Sequence, residues 1–117
     1  MSDVAPQLRP RCNLWVEAEN SVVLSHWRIE LLEAVAETGS IRAAAERLHV
    51  PYRVAWSRLK EMERGLGISL VETRVGGLYG GGANVTAAAH ELIHRFHELE
   101  AGLDEWVRQR FREVFDR

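Results

Sequence analysis

Apolar residues recur along this chain with two periods, and the changes between them mark the elements. In CNLWVEA, residues 12–18, Leu14 and Val16 alternate with Asn13, Trp15 and Glu17, the period of a short strand with one buried face. The period then lengthens. Ser25 is a capping residue, Ile29, Leu32, Val35 and Ala36 return on one side, and Gly39 is a stop, which predicts a helix over 26–38. Ser40 opens a second helix of about nine residues whose apolar stripe is Ile41, Ala44, Ala45 and Leu48. Its alanines let another helix approach closely. After a turn at His49-Val50-Pro51, a third helix starts with Pro51 at its first position, where no amide donor is needed, and ends at Gly65 or Gly67.

Two apolar runs follow, ISLVETRV and NVT, on either side of a stretch with glycine at 76, 77, 80, 81 and 82. They predict a hairpin with a bare tip. Thr86 then caps a long helix, 87–115, which at ~1.5 Å per residue would extend over about 40 Å. Along it Leu92, Phe96, Leu99, Leu103 and Trp106 step by four, three, four and three, the spacing of a coiled-coil seam. An exposed seam of that length calls for a partner, so a homodimer through this helix is expected, with help from residues 26–36. The first half of the row also suits an ordinary core helix.

The expected fold is mainly α with a small β-hairpin wing: a winged helix-turn-helix, with residues 1–11 as a polar, Pro-containing disordered tail and 12–117 as one domain. At 117 residues, 46% hydrophobic and 27% charged, the chain has enough apolar material for one core. Cys12 is the lone thiol, which excludes an internal disulfide framework and a CxxC metal knuckle. No run has membrane-spanning length, and a cytoplasmic location is expected.

Net charge is −2, which does not look like a nucleic-acid binder until it is divided along the chain. Residues 40–64 carry six bases and three acids, net +3, while 1–39 sum to −3, 65–86 to zero and 87–117 to −2. Positive charge is gathered on the second and third helices, as a site-sized patch or as a solvated helix face. On the third helix Ala55, Leu59 and Met62 share the core side, which turns Arg53, Ser57 and Lys60 outward, with Tyr52 and Trp56 on the flank. A major groove accepts such a helix: arginine and lysine donate to guanine, hydroxyls pair with several base edges, and apolar groups meet thymine methyls. Tyr52, Arg53, Ser57 and Trp56 are therefore candidate base readers, although an indole this large packs in a core more often than not. Arg42, Arg53, Arg58 and Lys60 are candidate phosphate contacts. Ser40 belongs to the same face, and in the wing Arg74 and the backbone at Gly77, Gly80 and Gly81 are placed to press on sugar and phosphate.

Other chemistries fit less well. A phosphate-binding loop needs lysine followed by serine or threonine after the glycines, and GGGANVT has no lysine. His90, His94 and His97 share one side of the last helix at metal-compatible spacing, but no carboxylate or cysteine is evidently aimed at them, so no metal or cofactor is expected. No Ser-His-acid or Cys-His arrangement points to an enzyme. An alternative is a protein-interaction module that uses the helix-turn-helix face for a protein partner.

The stretch 37–86, within a resemblance that covers about 26–100, resembles the N-terminal DNA-binding domain of the ModE family of molybdate-responsive regulators and, more distantly, LysR-type regulators. The elements that carry the resemblance are TGSI at 38–41, Tyr52-Arg53-x-Ala55-Trp56, LVE at 70–72 and GGxxGGGAxxT from Gly76 to Thr86. The resemblance implies a winged helix-turn-helix that dimerises through its first and last helices and binds a palindromic duplex operator, at molybdate-transport genes. It also implies that Arg53 stands where the family has lysine or arginine. The chain departs at Pro51, where the family usually has serine, and at Leu78-Tyr79, in place of a wing segment usually holding lysine or arginine; Arg74 is then the wing's only cation. The family's molybdate-binding domain would lie beyond residue 117, which makes a separate effector-binding protein an expected partner.

Overall fold

The computed structural model describes residues 5–75 and 81–117. The wing tip, with Gly77, Gly80 and Leu78-Tyr79, lies outside the described residues. The elements run β1 (Trp15–Ala18), β2 (Ser21–Ser25), α1 (His26–Thr38), α2 (Ile41–Arg47), α3 (Tyr52–Leu66), β3 (Val71–Arg74), β4 (Gly82–Val85) and α4 (Ala87–Phe115).

The strand at β1 has a partner that the spacing did not reveal. Residues 21–25, SVVLS, form β2 rather than an approach to the helix, and pair antiparallel with β1 through a turn at Glu19 and Asn20, both at positive φ. Val23 and Leu24 from this strand are buried in the core. The described residues therefore hold two hairpins, not one.

Three hydroxyl caps behave as their chemistry dictates. The side chains of Ser25, Ser40 and Thr86 accept from the amides of Arg28, Ala43 and Ala89, and so start α1, α2 and α4. Gly39 and Gly67 close α1 and α3 in the left-handed conformation that glycine adopts without cost. Pro51 stands one residue before α3 as its N-cap, not at its first turn. The α2–α3 joint is closed by Val50 N–H donating to Ala45 (3.0 Å) and His49 N–H to Glu46 (3.2 Å), with His49 itself at φ 59°.

α1 runs through the middle of the molecule and touches α2, α3, α4, β2 and β4. It therefore buries a wide arc, Ile29, Leu31, Leu32, Ala34 and Val35, rather than one stripe. Ala36, expected on the buried side, is exposed. The apolar residues of 26–36 are thus largely consumed inside the chain's own core. α2 and α3 add Ile41, Ala44, Ala45, Ala55, Leu59 and Met62 to the same core.

The wing is tied to the helices at both ends. Ala83 N–H of β4 donates to the Gly39 carbonyl (2.8 Å), and Thr86 bonds to Leu70 and Ser69 (3.0 and 2.8 Å). A Cβ on Gly82 would stand 3.3 Å from the Gly39 carbonyl and 2.8 Å from the Arg74 guanidinium, so the guanidinium would have to move aside. α4 starts against this core, burying Ala89 and Phe96, and then runs on with mostly exposed side chains.

Candidate nucleic-acid interface

Burial of Ala55, Leu59 and Met62 fixes the roll of α3 and decides which of its side chains face out. Arg53 is exposed, and Ser57 and Lys60 are half-buried, on the side opposite the core. The row continues one turn further to Arg64, also exposed, which extends the i, i+4, i+7 pattern to i+11. Sequence reasoning stopped at Lys60 and missed it, although the same periodicity would have found it.

Beside α3, a cleft of about 580 Å³ separates its first two turns from the base of the wing. Ser40, Arg42, Tyr52, Trp56, Arg74 and Gly81 all line it, so residues from the start of α2, α3, β3 and the approach to β4 meet in one place. Tyr52 and Trp56 are 41% and 44% exposed, so Trp56 is a surface residue and the core reading of it does not hold. The Arg42 guanidinium stacks on the Tyr52 ring, 4.7 Å from its centroid, which presents cation and aromatic edge together. Ser40 Oγ already accepts the Ala43 amide (3.1 Å), which leaves its proton and one lone pair for a ligand.

Two of the expected cations are engaged within the chain. Lys60 Nζ lies 3.2 Å from Glu63 Oε1 and 5.5 Å from the centroid of Trp56. Arg58 lies on the other flank of α3, away from Tyr52 and Trp56, and pairs with Glu61 (3.2 Å), while its carbonyl accepts from Arg28 (3.5 Å). The five-residue step from Arg53 to Arg58 carries it round the helix out of the exposed row, so it does not join the cleft. No carboxylate among the described residues pairs with Arg42, Arg53, Arg64 or Arg74.

Glu63 links α3 to the wing. Its Oε2 accepts the amides of Leu70 (2.8 Å) and Val71 (3.2 Å), and its Oε1 holds Lys60. Burial pushes this carboxyl up, but the two amides and Lys60 outweigh burial and hold it below its usual range. Nothing in the local spacing announced this role.

The last helix departs from the expected seam. Phe96 is 2% exposed and belongs to the chain's own core, with Leu92 packed against that core. Leu99 and Trp106 are 50% and 62% exposed, with Leu103 half-buried between them. The open part of the row therefore begins at Leu99. Of the three histidines, His97 meets Glu33 of α1 (3.2 Å), a carboxylate the helical spacing did not reveal, and His94 meets Glu98 (3.2 Å). No helix among the described residues is long and apolar enough to cross a membrane.

Comparison with known proteins gives this geometry a context. Residues 27–90 match the family model described as bacterial regulatory helix-turn-helix protein, lysR family. The chain is 40% identical over 76 residues to the molybdenum-pterin-binding protein MopB of Rhodobacter capsulatus, covering 65% of this chain and 28% of that protein. It is 41% identical over 70 residues to the molybdenum transport protein ModE of Herbaspirillum seropedicae, covering 60% and 26%. It is also 38% identical over 72 residues to the DNA-binding transcriptional dual regulator ModE of Escherichia coli, covering 62% and 28%. The chain thus spans between a quarter and a third of the length of these relatives. Among solved structures, the DNA-binding domain of CbnR in complex with DNA superposes with a TM-score of 0.56 at 31% identity, covering 71% of this chain and 93% of that one. The match over α1 to the start of α4 disfavours the protein-interaction alternative. This chain belongs to the lysR family of bacterial regulatory helix-turn-helix proteins, and its helix-turn-helix is of the ModE-like kind.

Proposed function

We propose that this protein is a cytoplasmic, non-catalytic transcription regulator that binds a palindromic duplex operator as a homodimer and controls genes of molybdate transport or molybdenum use. The cleft between α3 and the wing carries the reading: it gathers Arg42, Tyr52, Trp56 and Arg74 at one surface, next to the exposed Arg53. Arg42, Arg53, Arg64 and Arg74 supply phosphate contacts, while Arg53, Ser57, Tyr52 and Trp56 meet base edges in the major groove. A half-site is read by one α3, so two copies related by a two-fold axis require two half-sites about 34–36 Å apart. The molybdenum assignment rests on the similarity to ModE and MopB, and an effector-binding partner would supply any sensing.

Binding should weaken steeply with salt, because each neutralised phosphate releases counterions. A gel-shift series on a duplex selected from a random library checks this. For four phosphate contacts per protomer, the slope of log affinity against log salt should be roughly −7 for the dimer. An affinity indifferent to salt would remove the phosphate contacts, and failure of selection to enrich any sequence would remove the operator.

A further inference from the structure

Trp56 sits in an unexpected pose for its surroundings. Its side chain forms one wall of a hollow of about 180 Å³ between α3 and the wing, whose other walls are Ile41, Leu59, Lys60, Glu63, Val71 and Thr73. An indole at the wall of a hollow that Ile41, Leu59 and Val71 also line gains by folding further into it, because burial removes apolar surface from water. Yet Trp56 stands 44% exposed.

The contacts that oppose collapse form a chain with a fixed root. Leu70 and Val71 amides, at the start of β3, anchor Glu63 Oε2. The Glu63 side chain is only 15% exposed, and its other oxygen holds Lys60 Nζ at 3.2 Å. Lys60 in turn lies over the indole, 5.5 Å from its centroid, where the ring face attracts a cation. A free lysine would sample many rotamers; one anchored by a part-buried carboxylate keeps its ammonium over the ring.

We propose that Glu63 is a positioning residue which, through Lys60, holds Trp56 outward in the cleft that receives the duplex. The pose itself is independent of any ligand; its value for base reading rests on the DNA-binding function proposed above. The same carboxylate bonds the first amides of the wing, so wing and indole share one anchor.

The test uses the full chain labelled with 5-fluorotryptophan, which gives one fluorine resonance for each of the four tryptophans. Trp56 is assigned by the resonance lost in Trp56→Phe. In Glu63→Gln the amide oxygen can still accept from Leu70 and Val71, but the charge that holds Lys60 is gone. The Trp56 resonance should shift and lose most of its broadening by a soluble paramagnetic agent, while Trp15, Trp27 and Trp106 stay in place. Lys60→Gln leaves the wing anchor intact and should move the same resonance in the same direction, which decides the matter should Glu63→Gln fail to fold. Lys60→Arg, which keeps charge and stacking, should restore the wild-type signal. A Trp56 resonance equally exposed in wild type and Lys60→Gln overturns the proposal. On DNA, both glutamine variants should lower the ratio of affinities for the selected and a scrambled duplex. A wild type that shows no such ratio defeats the DNA-binding reading but leaves the fluorine result standing.

Discussion

Arg53 and Arg58 are five residues apart on one helix and have the same side chain, but their surroundings give them different weights. Arg53 is exposed on the outward row, whereas Arg58 lies on the other flank and pairs with Glu61. Replacing Arg53 with Ala should therefore cost about 1–3 kcal/mol on the selected operator, the range for a bidentate contact to guanine. Arg58→Ala, measured by the same titration, should change operator affinity much less, since its guanidinium does not reach the cleft. Equal losses would mean that α3 docks on its Glu61 flank instead. Helical spacing alone puts Arg53 and not Arg58 on the outward row, but it does not show that Arg58 already has a carboxylate in Glu61.

At the scale of elements, local rules account for what was legible. Ser25, Ser40, Thr86, Gly39 and Gly67 announce where helices begin and end, since capping depends on a few adjacent atoms. The α3 face followed from the positions of Ala55, Leu59 and Met62 alone. What remained hidden depends on contacts distant in sequence. Nothing marked β2 as a strand, because Val22, Val23 and Leu24 are consecutive apolar residues, a run without a period, and only pairing with β1 makes them one. Glu63 looked like any solvated acid until the fold brought Leu70 and Val71 to it. The α1–α4 contact was hidden for the same reason, and it carries a pH dependence. His26 has Nδ1 2.9 Å from Glu100 and Nε2 2.7 Å from Glu30, so the protonated ring can donate to both carboxylates at once. The hydrogen bond to Glu100 raises its pKa above 6.5, against a smaller lowering by burial, and the charges of Glu100 and Glu30 add to the rise. A raised folded-state value means that the stabilisation is fully present below the ordinary imidazole value and is lost as pH rises through the raised one. His26→Gln should therefore lower Tm more at pH 6 than at pH 9, by a modest amount because the side chain is largely solvated. A gap in Tm that does not narrow with rising pH would contradict this.

The whole molecule measures 64 × 37 × 22 Å, and α4 accounts for its length. Its first turns are spent on the protomer's core, where Ala89 and Phe96 are buried, while Leu99 and Trp106 remain open beyond them. This division separates folding from association. Leu99→Glu with Trp106→Glu removes exposed apolar surface and leaves the core alone, so circular dichroism and Tm should stay near wild type at low protein concentration. Phe96→Glu instead buries an unpaired charge among Ala89, Leu92 and the α1 residues, and should unfold the chain. Sedimentation equilibrium should then show the wild type as a dimer and the Leu99/Trp106 variant as a folded monomer. Because two half-sites held together bind with the effective concentration that the dimer imposes, the monomer should lose affinity for a palindromic duplex by about 10²-fold or more, yet bind a single half-site as well as a wild-type protomer does. A folded variant that stays dimeric would place the two-fold axis elsewhere. Further exposed apolar groups outside the cleft include Trp15 on β1 and Val114 and Phe115 at the end of α4, and Trp15→Glu and Phe115→Glu would be the next substitutions to separate association from folding.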